Sequence, residues 1–211
     1  MAISPELDPA ALRLQPFDSA TAPSALRLGA SLRRHGSQLE IRWRLQGDLA
    51  RLRLPEPAPA PQRRDELWTS TCLECFLARP GEPGYWELNL CPSGHWNLYR
   101  LDGYRQGLRP EPAIQALRAD RQIGEQAAAE AEAGQHQNTL ELAIALDLEA
   151  LLGAEACASP LELGVTAVVE TNDGAISYWA LTHPAAEADF HHRDGFRLEL
   201  PVAPGAEQGQ M

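Results

Sequence analysis

The stretch Asp65-Glu-Leu-Trp-Thr-Ser-Thr-Cys-Leu-Glu-Cys-Phe-Leu-Ala78 decides the reading of this chain. Its alternation predicts a central β-strand with two different faces: Leu73, Cys75 and Leu77 on one side, Cys72, Glu74 and Phe76 on the other. A carboxylate fixed in the middle of a sheet face is unusual for a plain core strand, because burying a charge is costly. Trp68 precedes Glu74 by an even offset, which on a continuous strand puts both on one face. The next segment repeats the scheme, with Trp86, Leu88 and Leu90 on one side and Tyr85, Glu87 and Asn89 on the other. Two such neighbours build one apolar face and one face of aromatic and polar groups, and the second face reads as a binding surface.

Working outward, Ser24 to Arg34 and Gln38 to Leu45 alternate around the turn signal His35-Gly36-Ser37 and predict a hairpin. Gly47 permits a turn into Leu49 to Leu54, and the four prolines between Pro55 and Pro61 predict an extended surface loop. Cys91-Pro-Ser-Gly94 turns the Tyr85 strand into His95 to Asp102, followed by a loop from Gly103 to Pro112. Residues 113 to 135 are ambiguous, with helical propensity between Glu125 and Ala133 but no clean apolar stripe. Asn138 to Leu146 alternates as a strand, and Asp147 to Gly153 reads as a short helix with an Asp cap and a Gly terminator, covering one end of the fold. Leu161 to Thr171 and Ala175 to Leu181 flank the hairpin signal Asn172-Asp-Gly174, and Gly195 to Leu200 is a last strand. An edge strand at Leu12 to Pro16 completes roughly ten strands with one helix. That pattern predicts an all-β, antiparallel β-sandwich, immunoglobulin-like or jelly-roll-like. The expected division is a flexible lead-in (1–10), one ligand-binding domain (11–201) and a disordered tail (202–211).

The chain of 211 residues carries a net charge of −11, from 29 acidic against 18 basic residues, so it should repel nucleic acid and anionic membrane. The N-terminus has no basic and apolar leader pattern and no run is long and apolar enough to span a bilayer, which predicts a cytoplasmic protein. Cys72, Cys75, Cys91 and Cys157 are expected as reduced thiols. Cys72 and Cys75 fit the Cys-x-x-Cys pattern, yet on a strand they point to opposite faces and are poorly placed to share a metal ion. His183, Asp189, His191, His192 and Asp194 form a polar cluster that reads as a solvated or hydrogen-bonding loop rather than a metal site.

No nucleophile elbow, phosphate loop or zinc-protease helix is present, so no catalytic residue is assigned and no cofactor is expected. An alternative is a glycan hydrolase using Glu74 and Glu87 as paired carboxylates on adjacent strands. The rings of Trp68, Tyr85, Trp96, Tyr99, Tyr104, Tyr178 and Trp179 supply flat apolar faces for a polyol, with Glu, Asn and Arg nearby for its hydroxyls. Trp86 is assigned to the core, and of Tyr178 and Trp179 only one can face it.

Gly47-Asp-Leu, Arg64-Asp-Glu-Leu-Trp-x-x-Thr-Cys-x-Glu-x-Phe-Leu77, Tyr85-x-Glu-x-Asn89, Pro92-Ser-Gly-x-Trp96, Tyr104-Arg105 and Tyr178-Trp-Ala-x-x-His-Pro184 together give a wider likeness. Over most of residues 10 to 200 the chain resembles the bacterial DOMON-like domain proteins, which look like relatives of carbohydrate-binding module family 9. The resemblance implies a β-sandwich that binds a small molecule or carbohydrate without catalysis; such modules are normally appended to secreted enzymes, whereas this chain is expected to stand alone. The resemblance also implies a clamp of two tryptophans with a carboxylate, an amide and an arginine. By position, Trp68 and Trp179 match the clamp, Glu74 the carboxylate, and Asn89 and Arg105 the polar partners. Another DOMON branch binds haem, usually through Met and His; Met1 and Met211 are the only methionines here, which argues against that ligation, while a haem-binding or redox domain with two histidine ligands stays an alternative.

Overall fold

The computed structural model describes residues 12–125, 138–154 and 159–200. Segments 1–10 and 202–211, Cys157 and most of the helix-prone run ending at Ala133 lie outside them. The described residues form twelve strands: β1 (Arg13–Pro16), β2 (Arg27–His35), β3 (Gln38–Gly47), β4 (Cys72–Ala78), β5 (Tyr85–Leu90), β6 (Trp96–Leu101), β7 (Arg109–Pro110), β8 (Ala119–Glu125), β9 (Asn138–Asp147), β10 (Leu161–Glu170), β11 (Ile176–Ala180) and β12 (Leu198–Leu200). The α-helix among them is α1 (Leu148–Leu152). Asp147 caps α1, its Oδ1 accepting from the backbone N–H groups of Glu149 and Ala150 at 3.0 and 3.1 Å.

Eleven strands run in one antiparallel row, β7-β6-β5-β4-β10-β11-β1-β2-β3-β9-β8. β12 joins the end of β10 that β11 leaves free, at Leu161 to Leu163. β1, expected at an edge, sits inside the row: Gln15 pairs with Ala180 of β11 and Arg13 with Gly29 of β2. The row curls on itself, because Leu28, Ile41 and Trp43 from one half share a buried cluster with Leu73, Leu77, Leu88 and Trp179 from the other. Leu148 and Leu151 of α1 close one end of that cluster.

The two halves differ in what lies behind the core. β2 and β3 alternate buried and exposed, as strands with one solvated face do. β4 and β5 are buried at every position. Their second face carries a smaller cluster of Phe76, Ala78, Tyr85, Tyr99, Leu101 and Phe196, with Trp68 and Phe190 packed against it. Gly164 of β10 makes this covering possible: a Cβ there would lie 3.1 Å from the Phe196 ring and 3.4 Å from the Gly195 carbonyl oxygen.

Several boundaries differ from the sequence reading. β4 begins at Cys72, and Trp68 stands in a 3-10 turn, Leu67–Thr69, entered through Glu66 in a left-handed conformation (φ 57°). The segment after Gly47 forms a 3-10 turn, Leu49–Arg51, before Leu52 bridges to Thr171. The ambiguous region contributes β8, and the final strand starts at Leu198 after a 3-10 turn, Arg193–Gly195.

Candidate functional site

Strand register assembles the floor of a pocket on the second face of β4 and β5. Glu74 lies between Asn89 of β5 and Thr166 of β10, and Glu87 lies beside Phe76. Both carboxyls are buried, Glu74 at 2 % and Glu87 at 4 % exposure. The Thr166 hydroxyl donates to Glu74 Oε2 at 3.1 Å, and Asn89 Nδ2 donates to Glu87 Oε1 at 2.8 Å. Among the described residues no cationic side chain is paired with Glu74. Burial therefore pushes the Glu74 carboxyl well above its ordinary range, and the charge of Glu87 pushes it further. Burial raises Glu87 as well, against the opposing pull of Asn89 and Arg105.

Trp68 reaches this face on a strapped loop rather than on the strand. The Arg63 guanidinium donates to Asn97 Oδ1 (2.9 Å) and to the carbonyls of Leu98 (3.0 Å), Glu111 (3.0 Å) and Ile114, while lying 4.5 Å over the Trp96 ring. Asn97 Nδ2 donates to the Arg64 carbonyl and to Asp65 Oδ1, both at 2.9 Å, and the Tyr99 hydroxyl donates to the same Asp65 oxygen at 2.8 Å. These bonds fix the turn that carries Trp68, whose ring stands edge-on to Tyr99 at 5.7 Å.

Two loops complete the walls and are tied to each other. Arg105, in a left-handed conformation (φ 52°), donates to Asp189 Oδ1 at 2.9 Å, and the Tyr104 hydroxyl donates to Asp189 Oδ2 at 2.6 Å. Burial would raise the Asp189 carboxyl, but these two hydrogen bonds, the Arg105 charge and the His191 backbone N–H together outweigh it and hold the group low. The Tyr85 hydroxyl accepts from the Arg105 backbone N–H (3.2 Å) and sits 2.9 Å from His191 Nδ1. His191 Nε2 is 4.0 Å from Glu87 Oε2. Burial, reinforced by Arg105, lowers the His191 pKa to about 4, so its ring is neutral at pH 7. Phe190 stands edge-on to Tyr178 at 6.0 Å across the mouth.

The resulting cavity of about 420 Å³ is lined by Trp68, Glu74, Phe76, Glu87, Arg105, Leu108, Tyr178, Phe190 and His191, among others. A separate hollow of about 560 Å³ lies on the outer face of β1, β2, β3 and β9, where Arg13, Arg27, Arg42 and Arg44 surround Glu141.

Of the residues singled out in the sequence, Trp68, Glu74 and Arg105 meet in the pocket, and Asn89 stands fully buried behind it, orienting Glu87. Trp179 is not brought there. Ala180 pairs with Thr166, which pairs with Glu74, so the even-numbered residues of β11 share the pocket face and Trp179 turns into the core. Its ring is 3 % exposed, with Nε1 donating to Ser177 Oγ at 3.0 Å. Tyr178 takes the place at the pocket. Trp86 is in the core, its Nε1 donating to Glu111 Oε2 at 3.0 Å. The late polar cluster divides: Asp189 and His191 join the pocket, while His192 caps the Arg193–Gly195 turn and His183 Nε2 lies 2.9 Å from the Gln15 carbonyl. Cys72, Cys75 and Cys91 are buried free thiols. Among the described residues no three His, Cys, Asp or Glu side chains are grouped to hold a metal ion.

Thr166, Leu108 and Phe190 were not identified from the sequence. Thr166 was findable in principle, since it sits at an even offset from Val168 and Glu170 on a strand of known period; Leu108 and Phe190 are on loops, where no period exists.

No family model matches the chain, and no curated protein matches it. Among solved structures, it is similar to a crystal structure described as a "putative carbohydrate-binding protein" from Bacteroides uniformis, with a TM-score of 0.57 and 11 % sequence identity over 90 % of this chain and 86 % of that one. At that identity the likeness is one of fold, and the two chains share it over nearly their full lengths.

Proposed function

We propose that this protein is a non-enzymatic binding domain that takes a carbohydrate or similar polar small molecule into the pocket between Trp68, Glu74, Glu87 and Arg105. The observation that carries the reading is a pair of buried carboxyls opening into a cavity walled by aromatic rings. A plain core would not keep such groups there, because each costs stability. The cavity's size falls within the range of small-molecule sites, roughly 300–1,000 Å³. Support also comes from the fold shared with the Bacteroides uniformis protein, whose description is carbohydrate-binding. On this reading the curled sheet serves as the two leaves of a β-sandwich of the DOMON-like type, related to carbohydrate-binding module family 9.

A hydrolase using Glu74 and Glu87 is the weaker reading. Acid and base roles need environments that push two carboxyls apart, whereas burial raises both of these. The test is a thermal-shift and calorimetric screen against mono- and oligosaccharides, because a ligand that binds only the folded chain raises its melting temperature. A sugar-dependent shift that disappears in Trp68→Ala, with folding intact, is the expected result. Release of a cleaved product that stops in Glu74→Gln would replace this reading with the hydrolase.

A further inference from the structure

The pocket is unbalanced in hydrogen-bonding capacity. Most of its donors are already used: the Thr166 hydroxyl on Glu74, Asn89 Nδ2 on Glu87, and the Arg105 guanidinium on Asp189, while His191 Nε2 stands 4.0 Å from Glu87 Oε2. What the floor turns towards the cavity is the oxygens of Glu74 and Glu87, which, when ionised, are acceptors alone. A neutral polyol both donates and accepts at every hydroxyl. An ammonium only donates, three times, and carries the charge that two buried carboxylates lack.

The charges surrounding the floor agree. Glu74 is faced by Glu87 from β5, by Thr166 from β10 and by the Cys72 thiol on its own strand. From the loops come the neutral His191 and Arg105, which Asp189 neutralises, and from β5 the Tyr85 hydroxyl next to His191. The floor therefore has two acids and no free cation among the described residues. Trp68, Phe76, Tyr178 and Phe190 line the cavity around it, and aromatic rings are the other element of organic-cation sites.

Building on the binding pocket argued above, we propose that its ligand carries a protonated amine, seated over Glu74 and Glu87 within the rings of Trp68, Phe76, Tyr178 and Phe190. Seating the amine ionises a carboxyl that burial biases towards its protonated form in the empty pocket. The cation enters, the carboxyl proton leaves to solvent, and the charge within the pocket balances. Affinity then falls on the acid side as the carboxyls hold their protons, by up to about tenfold per pH unit, and on the alkaline side as the amine loses its own.

The experiment is isothermal titration calorimetry of the full chain with glucosamine, glucose, N-acetylglucosamine and ethanolamine. It is run across pH and in two buffers of different ionisation enthalpy. The expected result is glucosamine binding at least tenfold more tightly than the two neutral sugars. Its heat should depend on the buffer, and its pH profile should be bell-shaped and lose the acid limb in Glu74→Gln or Glu87→Gln. Binding of ethanolamine comparable to glucosamine would uphold the amine and overturn the carbohydrate reading. Neutral sugars binding as tightly as glucosamine, without proton release, would overturn the amine and leave the pocket reading standing. Binding by none of the four would overturn both.

Discussion

Replacing Glu74 by Gln separates what this residue does for the fold from what it does for a ligand. The carboxyl's ordinary value is 4.5, and burial, then the nearby Glu87, raise it well above that in the folded chain. The sign follows from linkage: the folded state keeps a proton that the unfolded state releases. The stability this group contributes is thus complete below about pH 4.5 and is lost as pH rises through the raised value. Glutamine does not titrate. The unfolding free energy of the variant minus that of the wild type should be flat in acid. Above about pH 4.5 it should climb in the variant's favour, by at most about 1.4 kcal/mol per pH unit, the slope of a single proton, until the raised value is passed. Against this stands the bond from Thr166, which an amide oxygen still accepts, so the loss there is about 0.5–1 kcal/mol and independent of pH. Urea unfolding followed by tryptophan fluorescence, without ligand, between about pH 5 and 8 measures the difference. Taking a difference cancels the titration of groups not coupled to Glu74; that of Glu87, whose charge acts on it, stays in the difference. Parallel stability curves across that range, or a wild type that gains on the variant as pH rises, would refute the claim that Glu74 is an uncompensated buried acid.

His191 should show the opposite slope. Its pKa falls from 6.5 to about 4 on folding, so the stability of the neutral ring is present above pH 6.5 and is lost as pH falls towards 4, up to about 3 kcal/mol in all; an NMR titration should place its midpoint near 4, and His191→Gln should remove that acid sensitivity. Gly164→Ala puts a methyl against the Phe196 ring, costs about 1–3 kcal/mol, and weakens ligand binding by shifting the loop that carries Phe190 and His191, as calorimetry on the folded variant would show. Trp179→Ala should lower stability by about 3–5 kcal/mol in urea titration because its ring is core, whereas Trp68→Ala should cost far less stability and should abolish binding.

How far the sequence could be read depended on which physical quantity fixed each residue. Glu74 and Glu87 were legible because strand alternation is local and a carboxylate among apolar neighbours breaks it visibly. Trp68 was placed on their face by assuming a strand from Asp65 onward. The chain instead turns at Leu67 to Thr69, and the indole arrives there because Asp65 is held by Asn97 and Tyr99. The position was right and its cause was not. Trp179 shows the limit of alternation: a period of two says that Tyr178 and Trp179 part company, but not which one faces the core. That choice belongs to the register Val168↔Tyr178 and Ala167↔Trp179, set by pairing partners far along the chain. β1 was misjudged as an edge for the same reason, since its two neighbours are β2 and β11.

The pocket's outer wall lay beyond local pattern altogether. Phe190 and His191 are positioned by tertiary contacts, among them the Phe196 ring on Gly164, the bonds of Arg105 and Tyr104 to Asp189, and Tyr85 on His191. None leaves a periodic trace. Yet these contacts also account for an oddity that the sequence did display, a strand with acid on one face and leucine on the other that is buried throughout. A half-solvated strand would hydrate Glu74 and leave its pKa ordinary. Because Gly164 lets Phe196 approach, the covering loops close over the face and remove most of that water. The carboxyl is then driven towards its neutral form until something cationic or richly donating enters. On the proposed reading, the same glycine that admits the loop is what would make Glu74 responsive to a ligand.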